Sequence, residues 1–150
     1  MASAAKLYSA DVLALATSLG ELRFDPAMRW SGRARSASCG STLALSLDTD
    51  GAGKIVALGV QAHACAIGQA SAAVFARSAA GKARADFARA AAAITAWLAG
   101  EGPLPDWPGL AAIEPARAFP GRHGAILLAW KAVLDALPPE APGPDALPTA

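Results

Sequence analysis

Cys39, His63, Cys65 and His123 are all the thiols and imidazoles in this 150-residue chain. Two thiolates and two imidazoles are donors that suit zinc, or iron held together with sulfide. His63-Ala64-Cys65 sets one of each kind in a single triplet. The other two are distant in sequence, so a shared metal requires folding to gather them. Each residue also has an ordinary use, because a lone buried cysteine is commonly a small inert hydrophobe and a lone histidine a satisfied core or surface group. Other motifs fail on their chemistry. Gly51-Ala52-Gly53-Lys54 has Ile55 where a phosphate loop needs a hydroxyl. Asp48, Asp50 and Gly51 suggest a calcium loop, but Gly59 stands where the closing bidentate glutamate belongs. No serine has a histidine and a carboxylate in a recognisable catalytic arrangement.

The elements that must position these residues are legible from periodicity. Ser9 is suited to cap a first helix carrying Val12, Leu15, Ala16 and Leu19 on one face, with Gly20 ending it. An edge strand is expected over Arg33-Ala34-Arg35-Ser36. From Thr42 the period becomes two, with Leu43, Leu45 and Leu47 on one face of a half-buried strand. A turn over Asp48 to Gly53 returns the chain as a second strand, Lys54 to Gln61, bearing Val56, Leu58 and Val60. Cys39 precedes this hairpin and Cys65 follows it, so antiparallel pairing brings the two thiols to the same end of the sheet. Helical spacing resumes after Cys65 through Phe75, stops at Gly81, and returns with Phe87, Ala91, Ile94, Trp97 and Leu98. A loop rich in helix breakers follows, from Gly102 to Gly109. A last helix after Pro120 carries Ile126, Trp130, Val133, Leu134 and Leu137, with His123 in its first turn. Cys65 and His123 thus both fall at helix starts, where the dipole favours anionic groups and neutral imidazole.

Bulk properties narrow the classes. One domain is expected at this length, and the core is large enough to fold without a metal staple. The charge balance of 13 basic against 12 acidic residues, with no basic stripe, argues against a nucleic-acid partner. Two cysteines build no disulfide framework, and a reducing cytoplasmic setting is expected. The apolar stretch Val12 to Leu19 is flanked by Asp11 and Glu21 and lacks a cleavage pattern, so it reads as a helix and not as a signal peptide. Nothing approaches the length of a membrane span.

Ser38-Cys39-Gly40-Ser41 before a hairpin, Ala64-Cys65-Ala66-Ile67-Gly68-Gln69-Ala70-Ser71-Ala72 after it, Gly81-Lys82, and the ending Leu128-Ala129-Trp130-Lys131-Ala132 together resemble the U-type iron–sulfur cluster assembly scaffolds. This is the family of IscU, SufU and the NifU N-terminal domain, and the long segment after Cys65 is most similar to the SufU-type branch. The resemblance implies an α+β domain over residues 1–137, with a small antiparallel sheet of about three strands and helices packed on one face. A Pro-rich tail, 138–150, is expected to be disordered. The family surrounds one exposed site with three cysteines and an aspartate. Here Ser41 stands for the aspartate and Ala125 for the third cysteine, with His123 two positions earlier as the candidate replacement.

The implied function is that of a non-enzymatic scaffold which holds iron or a transient [2Fe-2S] cluster for transfer to apoproteins. Cys39, Cys65 and His123 are the implied ligands, with His63 as a further candidate. The implied partners are a cysteine desulfurase and recipient apo iron–sulfur proteins or a carrier, and the chain is a monomer or a cluster-bridged dimer. Two alternatives remain open: a zinc-dependent acceptor of persulfide sulfur working with a desulfurase, and a degenerate interaction module without metal.

Overall fold

A computed structural model describes residues 7–139 of the chain. Helix α1 spans Ala10–Ser18, and the Ser9 hydroxyl accepts the Val12 amide at 3.2 Å as the capping expectation requires. A short 3₁₀ turn, Leu19–Glu21, carries the chain out of the helix, so Gly20 falls inside that turn. Three strands follow, β1 Trp30–Arg35, β2 Thr42–Thr49 and β3 Ile55–His63. They form an antiparallel sheet in the order β1-β2-β3. Helices α2 Ala66–Ala79, α3 Arg84–Leu98 and α4 His123–Ala136 complete the α+β fold.

The sheet's inner face carries Leu43, Leu45 and Leu47, opposite Ala62, Val60 and Leu58 on β3. Helix α4 lies against β1 and β2 so closely that a Cβ on Gly32 would collide with the Ala132 carbonyl and the Ala136 backbone. Residues 125–130 of α4 are all buried, so this helix is the central rod of the core rather than an amphipathic cover. Trp130 meets Phe75 and Trp107 edge-on, with ring centroids 5.3 Å away in each case. Trp107 is fixed in turn by donating its indole N–H to the Val74 carbonyl at 2.9 Å.

Three local expectations change. Val56 does not face the core. A bulge pairs Thr49 with Ile55 and Asp48 with Ala57, leaving Val56 as the extra residue, 59% exposed, while Ile55 is buried. Strand β2 is also buried on its outer side, at Ser46 because the segment before β1 crosses there and the Asp25 amide donates to Ser46 Oγ, and at Ala44 between its cross-strand partners Arg33 and Gln61. Finally, the breaker-rich loop runs into a nine-residue 3₁₀ segment, Leu110–Ala118, which buries Leu110, Ile113 and Ala116. Their three-residue spacing is the period of that helix type. The turn before β3 uses Asp50 structurally: its carboxylate accepts the Ala52 and Lys54 amides. Residues 140–150 of the expected disordered tail lie outside the described residues.

Candidate functional site: the Cys39 loop and its neighbours

Cys39 sits in the short loop joining β1 to β2. The loop closes on itself through Ser36 N–H to the Ser41 carbonyl at 2.8 Å and Gly40 N–H to the Ser36 carbonyl at 2.9 Å. Gly40 makes the turn at φ +71°, a conformation side-chain-bearing residues rarely adopt. The result folds two buried hydroxyls toward one exposed sulfur. Cys39 Sγ lies 3.3 Å from Ser36 Oγ and 3.1 Å from Ser41 Oγ. Hydrogen bonds from Ser36 and Ser41, then the Ser41 backbone amide and the Arg122 charge, lower the thiol from 9.0 to about 7, against a small opposing effect of burial.

The pairing of Thr42 with His63 places the Cys39 loop and the start of α2 at the same end of the sheet. Cys65 is the N-cap residue of α2, half-buried against the core, and its carbonyl accepts the Gln69 amide. The first turn of α4 touches both cysteine-bearing segments. A Cβ on Gly124 would strike the Ser36 hydroxyl. On the other side, Ala125 Cβ lies 3.3 Å from where a Gly68 Cβ would stand in the first turn of α2. Ser38 Oγ adds a long hydrogen bond of 3.4 Å to the Gly121 carbonyl.

The histidines take other places. His123 opens α4 as expected, but its Nε2 lies 2.7 Å from the Arg117 carbonyl, at the edge of a groove floored by Trp97 and Leu98. A carbonyl only accepts, so Nε2 carries the proton and donates. His63 lies on the sheet's outer face among Arg33, Arg35 and Gln61, because strand alternation turns it away from the inner-face Ala62. Among the described residues, no three side chains of His, Cys, Asp or Glu gather as a metal site would require.

Solved structures share this architecture. The chain superposes on a nitrogen-fixing NifU-like protein (N-terminal) from Brucella abortus with a TM-score of 0.78 and 28% identity, covering 87% of this chain and 91% of that one. The chain shares the fold of the IscU/SufU/NifU-like proteins and resembles that family. A protein assigned as an iron–sulfur cluster assembly scaffold for the SUF system, from Fervidobacterium islandicum AW-1, shares the fold with a TM-score of 0.76. It is 23% identical, and the alignment covers 87% of this chain and 96% of that one. No family model matches the sequence, and no curated protein does.

Against the pattern of the U-type family, this chain's departures have structural counterparts. Ser41, standing for the aspartate, is buried and hydrogen-bonds the neighbouring sulfur. Ala125, standing for the third cysteine, is buried in the core beside Gly68. Sequence reasoning missed Ser36 and Arg122 as neighbours of Cys39. The serines clustered around Cys39 were a readable signal for the first; nothing local signals the second.

Proposed function

We propose that this protein acts in iron–sulfur cluster assembly as a U-type scaffold, with Cys39 and Cys65 as the thiols that hold iron or a [2Fe-2S] cluster as cargo. The Cys39 loop supports this reading above all else: an exposed sulfur in a hydroxyl cradle on the scaffold family's fold. Thiolate is the form that binds iron, and the cradle favours that form near neutral pH. With its Nε2–H held by the Arg117 carbonyl, His123 has Nδ1 left to offer a metal, though no three donor side chains gather among the described residues. Ser41 serves as a hydrogen-bond donor to the sulfur. Anaerobic reconstitution with iron and sulfide tests the reading. A visible cluster absorption band that disappears in Cys39→Ser and Cys65→Ser is the expected result. A colourless product, free of iron, argues against it.

The lowered Cys39 thiol favours a second reading, acceptance of sulfur from a cysteine desulfurase. The Cys39 thiolate attacks the outer sulfur of the desulfurase's persulfide. A new Sγ–S bond forms, the donor's S–S bond breaks, and the donor cysteine leaves as a thiolate, with no net oxidation. Zinc, in this reading, would rest on Cys39 and Cys65 between transfers. Mass analysis after incubation with desulfurase and free cysteine separates the readings. Bound sulfur on Cys39 without a cluster favours the acceptor, whereas an iron cluster on the protein as purified anaerobically favours the scaffold.

A further inference from the structure

The outer face of the sheet is covered along only half its length. At one end the segment before β1 lies so close that a Cβ on Gly59 would collide with the Arg23 carbonyl and Ser46 Oγ. At the other end, next to the Cys39 loop, the face is open. Cross-strand pairing there builds two rows, Arg35–Thr42–His63 and Arg33–Ala44–Gln61. Both arginines, Gln61 and His63 are exposed. They rim a groove of about 390 Å³ with Thr42 and Ala44 on its floor.

The residues lining this groove include two arginines and no carboxylate. Neither arginine forms an ion pair among the described residues. Asp135 stands beside β1, where its carboxylate accepts the Arg33 backbone amide without pairing with the guanidinium, while Asp48 accepts the Arg29 amide and Asp25 the Ala27 amide. Two unpaired guanidiniums on a chain of net charge +1 are therefore a local feature and not a reflection of overall basicity. Arginine forks match carboxylates bidentately, and Gln61 adds neutral donors and acceptors opposite them.

We propose that this groove docks an acidic segment of the protein that exchanges sulfur with Cys39. The inference rests on the proposed role of Cys39 in sulfur and cluster handling, and it adds the recognition surface that role needs. Position supports it: Arg35 directly precedes the Cys39 loop, and His63 stands two residues before Cys65. A partner held by the arginines would lie beside both thiol-bearing segments. Charge at such a surface acts mainly on encounter and register, so its effect should fade with salt.

The test uses the full chain, isotope-labelled for amide NMR, with a glutamate-rich peptide as probe and a cysteine desulfurase as donor. The peptide should shift amides of Arg33, Arg35, Thr42, Gln61 and His63 selectively. The double variant Arg33→Glu/Arg35→Glu should abolish those shifts and slow desulfurase-dependent sulfur loading of Cys39 by roughly tenfold or more at low salt. Loading from inorganic polysulfide, which needs no docking, should be unchanged in that variant. Arg33→Gln/Arg35→Gln, which removes charge without adding any, should show a smaller effect of the same sign and guards against misfolding. Peptide shifts lying elsewhere, or desulfurase loading untouched by both variants, would overturn the proposal. Shifts produced at the groove by inorganic phosphate or phosphatidylglycerol vesicles but not by the peptide would overturn it too. If wild-type Cys39 took sulfur from neither donor, the functional reading would fail, and the peptide arm would still decide whether the groove binds acidic chains.

Discussion

At the scale of single residues, the replacement of a carboxylate by Ser41 changes what Cys39 can do. An aspartate two positions after the cysteine sets a negative charge beside a developing thiolate and raises its pKa, whereas the Ser41 and Ser36 hydroxyls stabilise the anion. The sign of the pH dependence follows. Thiolate accumulates as pH rises through about 7, well below the usual cysteine range, so alkylation of Cys39 by iodoacetamide should reach half its maximal rate near that pH. Ser36→Ala/Ser41→Ala removes the two largest stabilising contacts and should move the midpoint upward. Ser41→Asp should move it upward as well, while supplying a hard oxygen donor for iron. A midpoint that stays put in both variants would show that the hydroxyls are bystanders. The cysteine and glycine flanked by serines, set just ahead of an alternating strand, made this loop legible in the sequence. The contribution of Arg122 was not, because the residues between them fold into the hairpin, two α-helices and a 3₁₀ segment before the guanidinium arrives.

At the scale of elements, close approach without side chains governs how the helices seat on the sheet. Gly32 lets α4 lie directly on β1, and Gly124 lets the same helix begin against the Ser36 hydroxyl. Gly32→Val should therefore lower stability by about 1–3 kcal/mol or more, read as a reduced denaturation midpoint in urea. Val56→Thr, by contrast, alters a solvated bulge residue and should change stability by no more than about 0.5 kcal/mol. That contrast inverts the alternation written in the strand, where Val56 belongs with Leu58 and Val60. The bulge is set by pairing: Ile55 donates its amide to the Lys82 carbonyl and accepts the Gly81 amide, which pins it inward. A two-residue period holds only while the ladder keeps its register.

Across the whole molecule, stability rests on one continuous core in which Phe75, Phe87, Trp107 and Trp130 interlock. Trp130→Ala should cost about 3–5 kcal/mol, since it empties the centre of that cluster while the sheet stays in place. Thermal unfolding with and without a chelator should give the same midpoint within scatter, because the core residues are held by apolar packing and not by the thiols. A large fall on chelation would reassign Cys39 and Cys65 to a structural role. None of the helices among the described residues is long and apolar enough to cross a membrane.

The sequence alone determined the order of elements, the hairpin between the cysteines, the helix starts at Cys65 and His123, and the family likeness. Each of these is written in short-range periodicity, in capping residues or in a local motif. Tertiary structure decided where the side chains go. It turned His63 onto the arginine-rimmed outer face, tied His123 to the Arg117 carbonyl and set Ser36 and Arg122 around Cys39. These outcomes depend on strand register and on which elements pack together, and contacts between residues far apart along the chain leave no periodic trace in it.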